Sequence, residues 1–204
     1  MYKLILFSVL IIICTIRSAI GQNYLIEKKE STFHASAQLT SGSFERTITI
    51  QPGYTWNGRI TAGVDFGKGT DNILGQTLNI VRPNLKYLIV KQNSEGSPLS
   101  FNLEAAYQLN ILPATPANSR SVQLGASIYH QIHIKDQLVR ASLTPLAGIL
   151  AVQTTNKNGF QIENGLAIIY NFGFNILWEH AYLEPTVLIN SGNISYALKV
   201  GYIL

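Results

Sequence analysis

The sequence predicts an all-β protein, a closed antiparallel up-and-down transmembrane β-barrel of ten strands. Apolar and polar side chains alternate in segment after segment from Thr32 to Leu204, with almost no helical stretch between them. Because successive side chains of a strand point to opposite faces, this period of two gives each strand an apolar and a polar face. Charged residues make up only 13% of the chain, against about 25% in typical globular proteins. Low charge without a long apolar run after residue 21 predicts strands whose apolar face meets lipid.

The front of the chain predicts a signal peptide over residues 1–21, followed by one barrel domain over residues 22–204. Lys3 supplies a positive start, Leu4–Ile16 is an apolar run, and small residues precede Gln22, where we expect cleavage. The run is shorter than the roughly 20 apolar residues of a membrane-spanning helix, so an uncleaved anchor is the weaker alternative. Cys14 is the only cysteine, so the mature chain is expected to hold no disulfide and no cysteine-ligated metal.

The charge balance argues against a nucleic-acid partner. The formal net charge is +4, of which Lys3 and Arg17 supply 2, so that +2 remains without a basic cluster. We expect no cofactor and no metal. His130 and His133 are separated by an odd number of residues, which places them on opposite faces of a strand and prevents them from sharing a metal there.

Turn signals divide the alternating region into segments. Asn57-Gly58 predicts a two-residue hairpin, because both positions of such a turn need positive φ. Pro83 cannot donate to a ladder and predicts a bulge or kink, and the stretch Gly173–Leu177 is left unassigned. The ten predicted strands are Thr32–Thr40, Glu45–Trp56, Arg59–Gly67, Thr77–Lys91, Leu99–Ile111, Ser121–Ile134, Leu138–Gln153, Phe160–Phe172, Trp178–Ile189 and Ile194–Leu204. An eight-stranded barrel is the alternative if the first pair forms a periplasmic flap.

An even number of strands returns both termini to the same side of the membrane, here the periplasm. Barrels of this kind have short periplasmic turns and longer external loops. The expected periplasmic connections are Asn57-Gly58, Gln92–Pro98, Lys135–Gln137 and Asn171–Asn175, and the expected external ones are Gly67–Gln76, Leu112–Arg120 and Thr154–Gly159.

The polar face carries ionisable residues that are candidates for a lumen network. Buried charges are tolerated when they are paired and hydrogen-bonded, and the interior of a barrel this small is nearly filled by side chains. The sequence therefore predicts a polar plug, with a narrow ion or solute path as the minority alternative. The candidate residues are Asp65, Lys86, Glu104, Glu163, Glu184 and Lys199.

Aromatic residues cluster toward the predicted strand ends, as expected for girdles at the two membrane interfaces. Ordinary packing would explain each one separately, but smaller aliphatic residues occupy the middle of the strands. The girdle candidates are Tyr54, Trp56, Tyr107, Tyr170, Phe172, Trp178 and Tyr202.

The sequence offers no identifiable catalytic residue. No Gly-x-Ser-x-Gly motif is present. His180 with Glu184 on one inward face is the best acid/base pair available, and a structural lumen pair explains it more simply.

The segment Ile50–Arg59, which continues as Ile60-Thr61-Ala62-Gly63, the repeated strand–turn rhythm and the final strand Tyr196–Leu204 together resemble small outer-membrane β-barrel proteins of Gram-negative bacteria, the "outer membrane protein β-barrel domain" group. The resemblance covers essentially the mature chain. It implies residence in the cell outer membrane, contact with outer-membrane lipids, and recognition of the C-terminal strand by the barrel-assembly machinery. In that group the last strand ends on an aromatic residue, whereas here Leu204 is last and Tyr202 lies two residues before it.

The leading functional prediction is a non-enzymatic integral outer-membrane barrel that serves envelope integrity or adhesion through its loops. Three alternatives stay open: the narrow pore, an enzyme acting on lipid A or phospholipid, and a soluble secreted barrel of the lipocalin type. The lipocalin alternative requires the apolar face to point inward, which would leave a surface poor in Lys and Glu.

Overall fold

The computed structural model describes residues 31–42, 45–71, 77–92, 97–111, 118–135, 140–158 and 161–204. The expected signal peptide, residues 1–21, lies outside these ranges. Within them, no helix is long and apolar enough to cross a membrane. The strands are β1 (Thr32–Gly42), β2 (Glu45–Trp56), β3 (Ile60–Asp71), β4 (Thr77–Val90), β5 (Ser100–Ile111), β6 (Asn118–Tyr129), β7 (Ile132–Lys135), β8 (Arg140–Asn158), β9 (Gln161–Trp178), β10 (Ala181–Asn190) and β11 (Asn193–Ile203).

The strands form one closed antiparallel barrel. Each strand pairs with its sequence neighbour, except that β6 and β7 both pair with β8, and β1 pairs with β11 to close the ring. The short β7 continues along β8 where β6 stops, so β6 and β7 act as one strand interrupted at His130-Gln131. The barrel therefore has ten strands, which confirms the predicted fold class and excludes the eight-stranded alternative, since β1 and β2 belong to the ring.

The register fixes the tilt of the strands. Paired residues followed from Ala37 through β2 to β8 lead to Asn164 on β9. Followed the other way, through β11 and β10, they lead to Ile176. These two positions on β9 differ by 12 residues, which is the stagger of the barrel. Ten strands with this stagger are tilted by about 40° from the barrel axis.

The barrel is apolar outside and polar inside. Among the described residues, 16 buried side chains are polar or charged and 9 are hydrophobic, while large hydrophobic side chains such as Ile50 and Leu124 are about 60% exposed. A barrel that carries an apolar ligand in water would show the reverse arrangement. The lipocalin alternative is therefore wrong, and the apolar faces point outward as the sequence predicted.

The two rims of the barrel differ. The terminal rim carries Thr32, Leu204 and the turn at Asn57-Gly58, both of whose residues have positive φ as predicted. The distal rim carries Gly42 and the turn at Ser191-Gly192, again with positive φ at both residues. Parts of the predicted connections, including residues 72–76, 93–96, 112–117, 136–139 and 159–160, lie outside the described residues.

The turn predicted at Asn171–Asn175 is wrong. β9 runs unbroken from Gln161 to Trp178, and the real turn is at Glu179-His180, where Glu179 has a φ of 55°. Gly173 is a glycine of close approach rather than of a turn, because a Cβ there would lie 2.5 Å from the carbonyl oxygen of Pro185. The predicted external tip at Thr154–Gly159 is also largely strand, since β8 continues to Asn158.

Prolines inside strands mark local gaps in the ladders. The pairing of β4 with β5 skips Arg82 and Pro83, and that of β9 with β10 skips Glu184 and Pro185. The reason is that proline has no N–H to donate. The irregularity predicted at Pro83 is thus present, and β4 has a further register shift between Leu88 and Val90.

Candidate functional site: the lumen

Ion pairs lie across the lumen wall at mid-height. Among the described residues, three carboxylates each meet a cation on the neighbouring strand: Asp65 with Arg82, Glu104 with Lys86, and Glu184 with Lys199. Each pair is also a direct register pair, so the two side chains leave the sheet side by side on the same face. We call these six residues the ion-pair belt. The belt carries three charges of each sign and is neutral as a whole.

Asp65 is the most completely satisfied member of the belt. Its side chain is buried against Arg82, whose Nε donates to Oδ2 at 2.6 Å and whose Nη2 contacts the same oxygen. Asn84 Nδ2 donates to Oδ1 at 2.9 Å, and Gln51 Nε2 approaches Oδ2 at 3.5 Å. This arrangement meets the requirement that a buried carboxylate be both paired and hydrogen-bonded.

Glu184 and Lys199 form a second buried pair on the opposite side of the lumen. Lys199 Nζ donates to Glu184 Oε1 at 3.0 Å, and Asn175 Nδ2 donates to Oε2 at 3.3 Å. The side chain of Glu184 is 8% exposed and that of Lys199 is 18% exposed. The Lys86–Glu104 pair is longer, at 3.6 Å, and more exposed, at 24% and 23%. Water therefore screens the Lys86–Glu104 pair more strongly.

The belt separates two lumen cavities. The first cavity, of about 140 Å³, lies toward the terminal rim and is lined by His34, Thr61 and Tyr182. The second, of about 360 Å³, opens toward the distal rim. Seven residues line both cavities: Arg82, Lys86, Glu104, Gln123, Leu150, Glu184 and Lys199. Two complete ion pairs, Lys86–Glu104 and Glu184–Lys199, therefore lie where the two cavities meet.

Neutral polar side chains cover one wall of the distal cavity. Gln123 Nε2 donates to Gln108 Oε1 at 3.0 Å, and Gln108 Nε2 donates to Asn110 Oδ1 at 2.9 Å. The wall formed by β8, β9 and β10 adds aliphatic side chains such as Leu150 and Ile169 beside the polar Thr154, Asn171 and Thr186. The distal cavity is therefore lined by amide, hydroxyl and methyl groups, with charged residues of the ion-pair belt at its inner end.

The terminal half of the lumen is filled by larger side chains. Leu177, Tyr182 and Ile203 form one buried apolar cluster, and Leu88, Tyr129 and Leu146 form another. Tyr182 lies flat over Gly201, its register partner, and the imidazole of His34 lies over Gly53 in the same way. The missing side chains of these glycines make room for the two rings.

The structure brings five of the six lumen candidates together: Asp65, Lys86, Glu104, Glu184 and Lys199 all line the first cavity. The side chain of Glu163 lies outside those the structure describes. Sequence reasoning left out Arg82, although alternation with Pro83 already put it on the polar face. It also left His34 out of the lumen network, although alternation along β1 put it on the polar face with Ser36 and Gln38.

The pairing of His180 with Glu184 is wrong. His180 lies in the turn after β9, and its ring is 5.8 Å from that of Tyr202, which faces outward. Glu184 is engaged with Lys199 and Asn175 inside the barrel. His130 Nδ1 lies 2.8 Å from the carbonyl oxygen of Pro98. Within the described residues, no group of three or more His, Cys, Asp or Glu could hold a metal ion.

The girdle candidates all lie on the outer face. Trp56, Trp178 and Tyr202 lie near the terminal rim, where Tyr54 also packs between Trp56 and Phe33 at centroid distances of 4.6 and 4.5 Å. Tyr107 and Tyr170 lie nearer the distal rim; Tyr170 is paired with Ile189, two residues before the Ser191-Gly192 turn. Phe172 lies two residues further in. Their service as membrane-interface anchors stays a prediction.

An apolar exterior, a polar lumen and ten closed strands define this chain as a β-barrel of the outer-membrane type. No protein-family model matches the chain. No curated protein matches it in sequence.

Solved structures that the chain resembles are β-barrels. It is similar to the N-terminal β-barrel domain of Pseudomonas aeruginosa OprF, with 12% identity over 87% of this chain and 100% of that chain and a TM-score of 0.38. It is also similar to the KdgM porin in complex with disordered oligogalacturonate (11% identity, 83% of this chain, 98% of that chain, TM-score 0.41). A third is the β domain of the Bordetella autotransporter BrkA, with 10% identity over 85% of this chain and 98% of that chain and a TM-score of 0.43. The likeness is one of barrel architecture alone.

Proposed function

We propose that this chain is a non-enzymatic integral protein of the outer membrane, with a structural role in the envelope and a lumen that side chains close to solutes. The observation that supports the proposal is the ion-pair belt, whose paired charges lie where the two lumen cavities meet. On the terminal side of the belt, the rings of Tyr182 and His34 lie over two glycines and narrow the first cavity. The distal rim would carry the surface contacts.

The outer face supports residence in lipid. Between Arg46 and Trp56, β2 rises about 34 Å, which a tilt of about 40° reduces to roughly 25 Å along the barrel axis. That height matches the apolar band of outer-membrane barrels. The outward side chains between these two residues are Ile48, Ile50, Pro52 and Tyr54. Outer-membrane lipids are therefore the proposed solvent of this face, and β11, with Tyr202 facing outward, is the strand we propose for the barrel-assembly machinery.

The separation of His180 from Glu184 supports the non-enzymatic part of the proposal, because the best acid/base pair that the sequence offered is engaged elsewhere. The direct test is single-channel recording of the refolded mature protein in planar bilayers. We expect silent membranes. A stable, stepwise conductance of the unmodified protein would establish the narrow-pore alternative and overturn the closed lumen.

Removing two ion pairs of the belt is expected to open a pore. The variant carries Lys86→Ser, Glu104→Ser, Glu184→Ser and Lys199→Ser, so that both partners of two ion pairs are lost together and no buried charge remains alone. The two cavities share all four residues, and their truncation should join them. We expect stable conductance steps in planar bilayers where the unmodified protein gives none.

The matched control widens the distal cavity only. Thr40→Ser with Gln108→Ser removes atoms from the second cavity and leaves the belt intact, so this variant should stay silent. Heat-modifiable migration on a gel verifies that each variant is folded. If the four-serine variant is folded and silent, the belt is not the closure.

A further inference from the structure

The outer face of the barrel has a charge pattern that the closed lumen does not explain. Among the strand side chains that the structure describes, the acidic ones (Asp65, Glu104 and Glu184) all line the lumen. The outward-facing charged ones are all basic: Arg46 on β2, Lys68 on β3 and Arg120 on β6, each of them exposed. We call these three residues the basic collar.

All three collar residues lie at the distal rim. Arg46 is the second residue of β2, Arg120 is the third residue of β6, and Lys68 lies three residues before the end of β3 at Asp71. Each of these strand ends is on the rim away from the chain termini. The collar therefore marks one membrane face, whereas the candidate aromatic girdle near the terminal rim marks the other.

Each collar residue also lies at the edge of the apolar band. Toward the middle of the barrel, the next residue on the same outward face is Ile48 beside Arg46, Phe66 beside Lys68 and Val122 beside Arg120. These three side chains are 53%, 52% and 48% exposed, respectively. Long basic side chains at such an edge keep their stems on hydrocarbon and extend their charged ends to the headgroup layer. A cation on the lipid face costs little free energy at that depth, about 0–1 kcal/mol, against about 2–4 kcal/mol at the midplane.

The spacing of the collar suits more than one phosphate. Arg46 is paired with Thr70 and Ile48 with Lys68, so Arg46 and Lys68 are diagonal neighbours on adjacent strands, about 7–8 Å apart. Arg120 lies three strands from Lys68 around the barrel, a distance of about 15 Å. Between them, Asn79 and Thr77 on β4 add polar groups to the outward rim.

We propose that the basic collar is a binding site for a phosphorylated lipid headgroup of the outer leaflet, with phosphates held by Arg46 and Lys68 at one end and by Arg120 at the other. The guanidinium groups can bind phosphate through two parallel hydrogen bonds, and the lysine adds a point charge. Acyl chains of the same lipid would lie on Ile48, Phe66 and Val122. The proposal rests on the proposed location in the outer membrane, and it names the lipid class that this face recognises.

The experiment measures lipid retained by the refolded mature protein, using native mass spectrometry in mixed micelles. The probes are bisphosphorylated lipid A, the same glycolipid without phosphates, and phosphatidylcholine. We expect the unmodified protein to retain the bisphosphorylated lipid selectively. The variant Arg46→Gln, Lys68→Gln, Arg120→Gln should lose this retention by about tenfold or more, since charge-assisted contacts to phosphate are the strong ones.

The control is Arg59→Gln, which removes an exposed cation in the turn at the terminal rim and should leave retention unchanged. If the collar variant retains the lipid as well as the unmodified protein, or if the glycolipid without phosphates binds equally well, the proposal is overturned. Equal protection against unfolding by inorganic phosphate at matched concentration would also overturn it, because it would indicate an ion site and no headgroup site.

A second measurement uses the unmodified protein alone, so it does not depend on whether a variant folds. Raising the salt from about 0.1 M to about 1 M shortens the screening length from about 10 Å to about 3 Å, so retention of bisphosphorylated lipid A by the unmodified protein should fall. Retention that is independent of salt contradicts the collar. Loss of all lipids, phosphatidylcholine included, would instead argue against the membrane location itself, and the two failures are therefore distinguishable.

Discussion

Replacing Gly201 by valine is expected to prevent the barrel from closing stably. Gly201 faces the lumen on β11, and the ring of its register partner Tyr182 occupies the space directly above its Cα. Even a single Cβ would overlap the ring, so the buried Tyr182 has to shift before valine can be accommodated. Overpacking of this kind costs about 1–3 kcal/mol and occasionally more. We expect the upper end, about 3 kcal/mol, because β11 also forms the closing seam with β1.

The measurement is unfolding of the refolded variant by guanidinium in lipid vesicles, followed by the gel shift between folded and unfolded forms. Gly165→Val is the matched control, since no atom lies within 4 Å of a Cβ at Gly165 and its φ is not positive. The control should fold as the unmodified protein does. Adding Tyr182→Ala to Gly201→Val should restore folding in part, because it frees the volume that valine needs. If Gly201→Val is as stable as Gly165→Val, the contact of ring and glycine is not structural.

The strand order could be predicted from the sequence because each strand carries its own evidence. In a strand with lipid on one face and a lumen on the other, apolar and polar side chains alternate independently of the neighbouring strands. The predicted bounds of Glu45–Trp56 therefore agree with those of β2. A turn with local chemistry is recovered for the same reason: both residues of the predicted Asn57-Gly58 hairpin adopt positive φ.

Features that depend on a neighbouring strand could not be predicted. Glycine is a typical turn residue, so Gly173 by itself indicates a turn. It lies inside β9 because a Cβ there would be too close to the carbonyl oxygen of Pro185 on the paired strand. Conversely, the turn at Glu179-His180 contains neither glycine nor proline, so the local sequence carries no turn signal there. Alternation indicates the polar face for His34, but the position of its ring over Gly53 on β2 depends on the neighbouring strand.

The candidate lumen residues follow the same division. Alternation put Asp65, Glu104, Glu184, Lys86 and Lys199 on one face, but it could not say which residue meets which. That information is in the register, which sets Glu184 opposite Lys199 and Asp65 opposite Arg82. A shift of one residue in any of these ladders would turn a charge toward lipid. The ion pairs therefore stabilise the native register relative to registers shifted by one residue.

Breaking the buried pair on β10 and β11 tests that interpretation and has the second large effect that we expect. Lys199→Met removes the cation and leaves Glu184, 8% exposed in its side chain, with Asn175 as its remaining hydrogen-bond donor in the described part of the lumen. Lys86 still attracts Glu184 across the lumen, so the cost of about 3–5 kcal/mol for leaving a buried charge without its partner is an upper bound. The free energy of unfolding in lipid vesicles should fall by up to that amount, whereas Lys86→Met should cost less, because the Lys86–Glu104 pair is longer and more exposed.

The double variant Lys199→Met with Glu184→Gln decides whether the loss comes from the stranded charge. Glutamine can still accept the hydrogen bond from Asn175, and no carboxylate then remains alone. Removing both charges of a buried pair is often nearly neutral, so most of the stability lost in Lys199→Met should return. The double-mutant cycle isolates the pairwise coupling, which we expect to reach about 2–3 kcal/mol. A double variant as unstable as Lys199→Met alone would show that the lysine stabilises the barrel by packing, and that the Glu184–Lys199 pair does not specify the register.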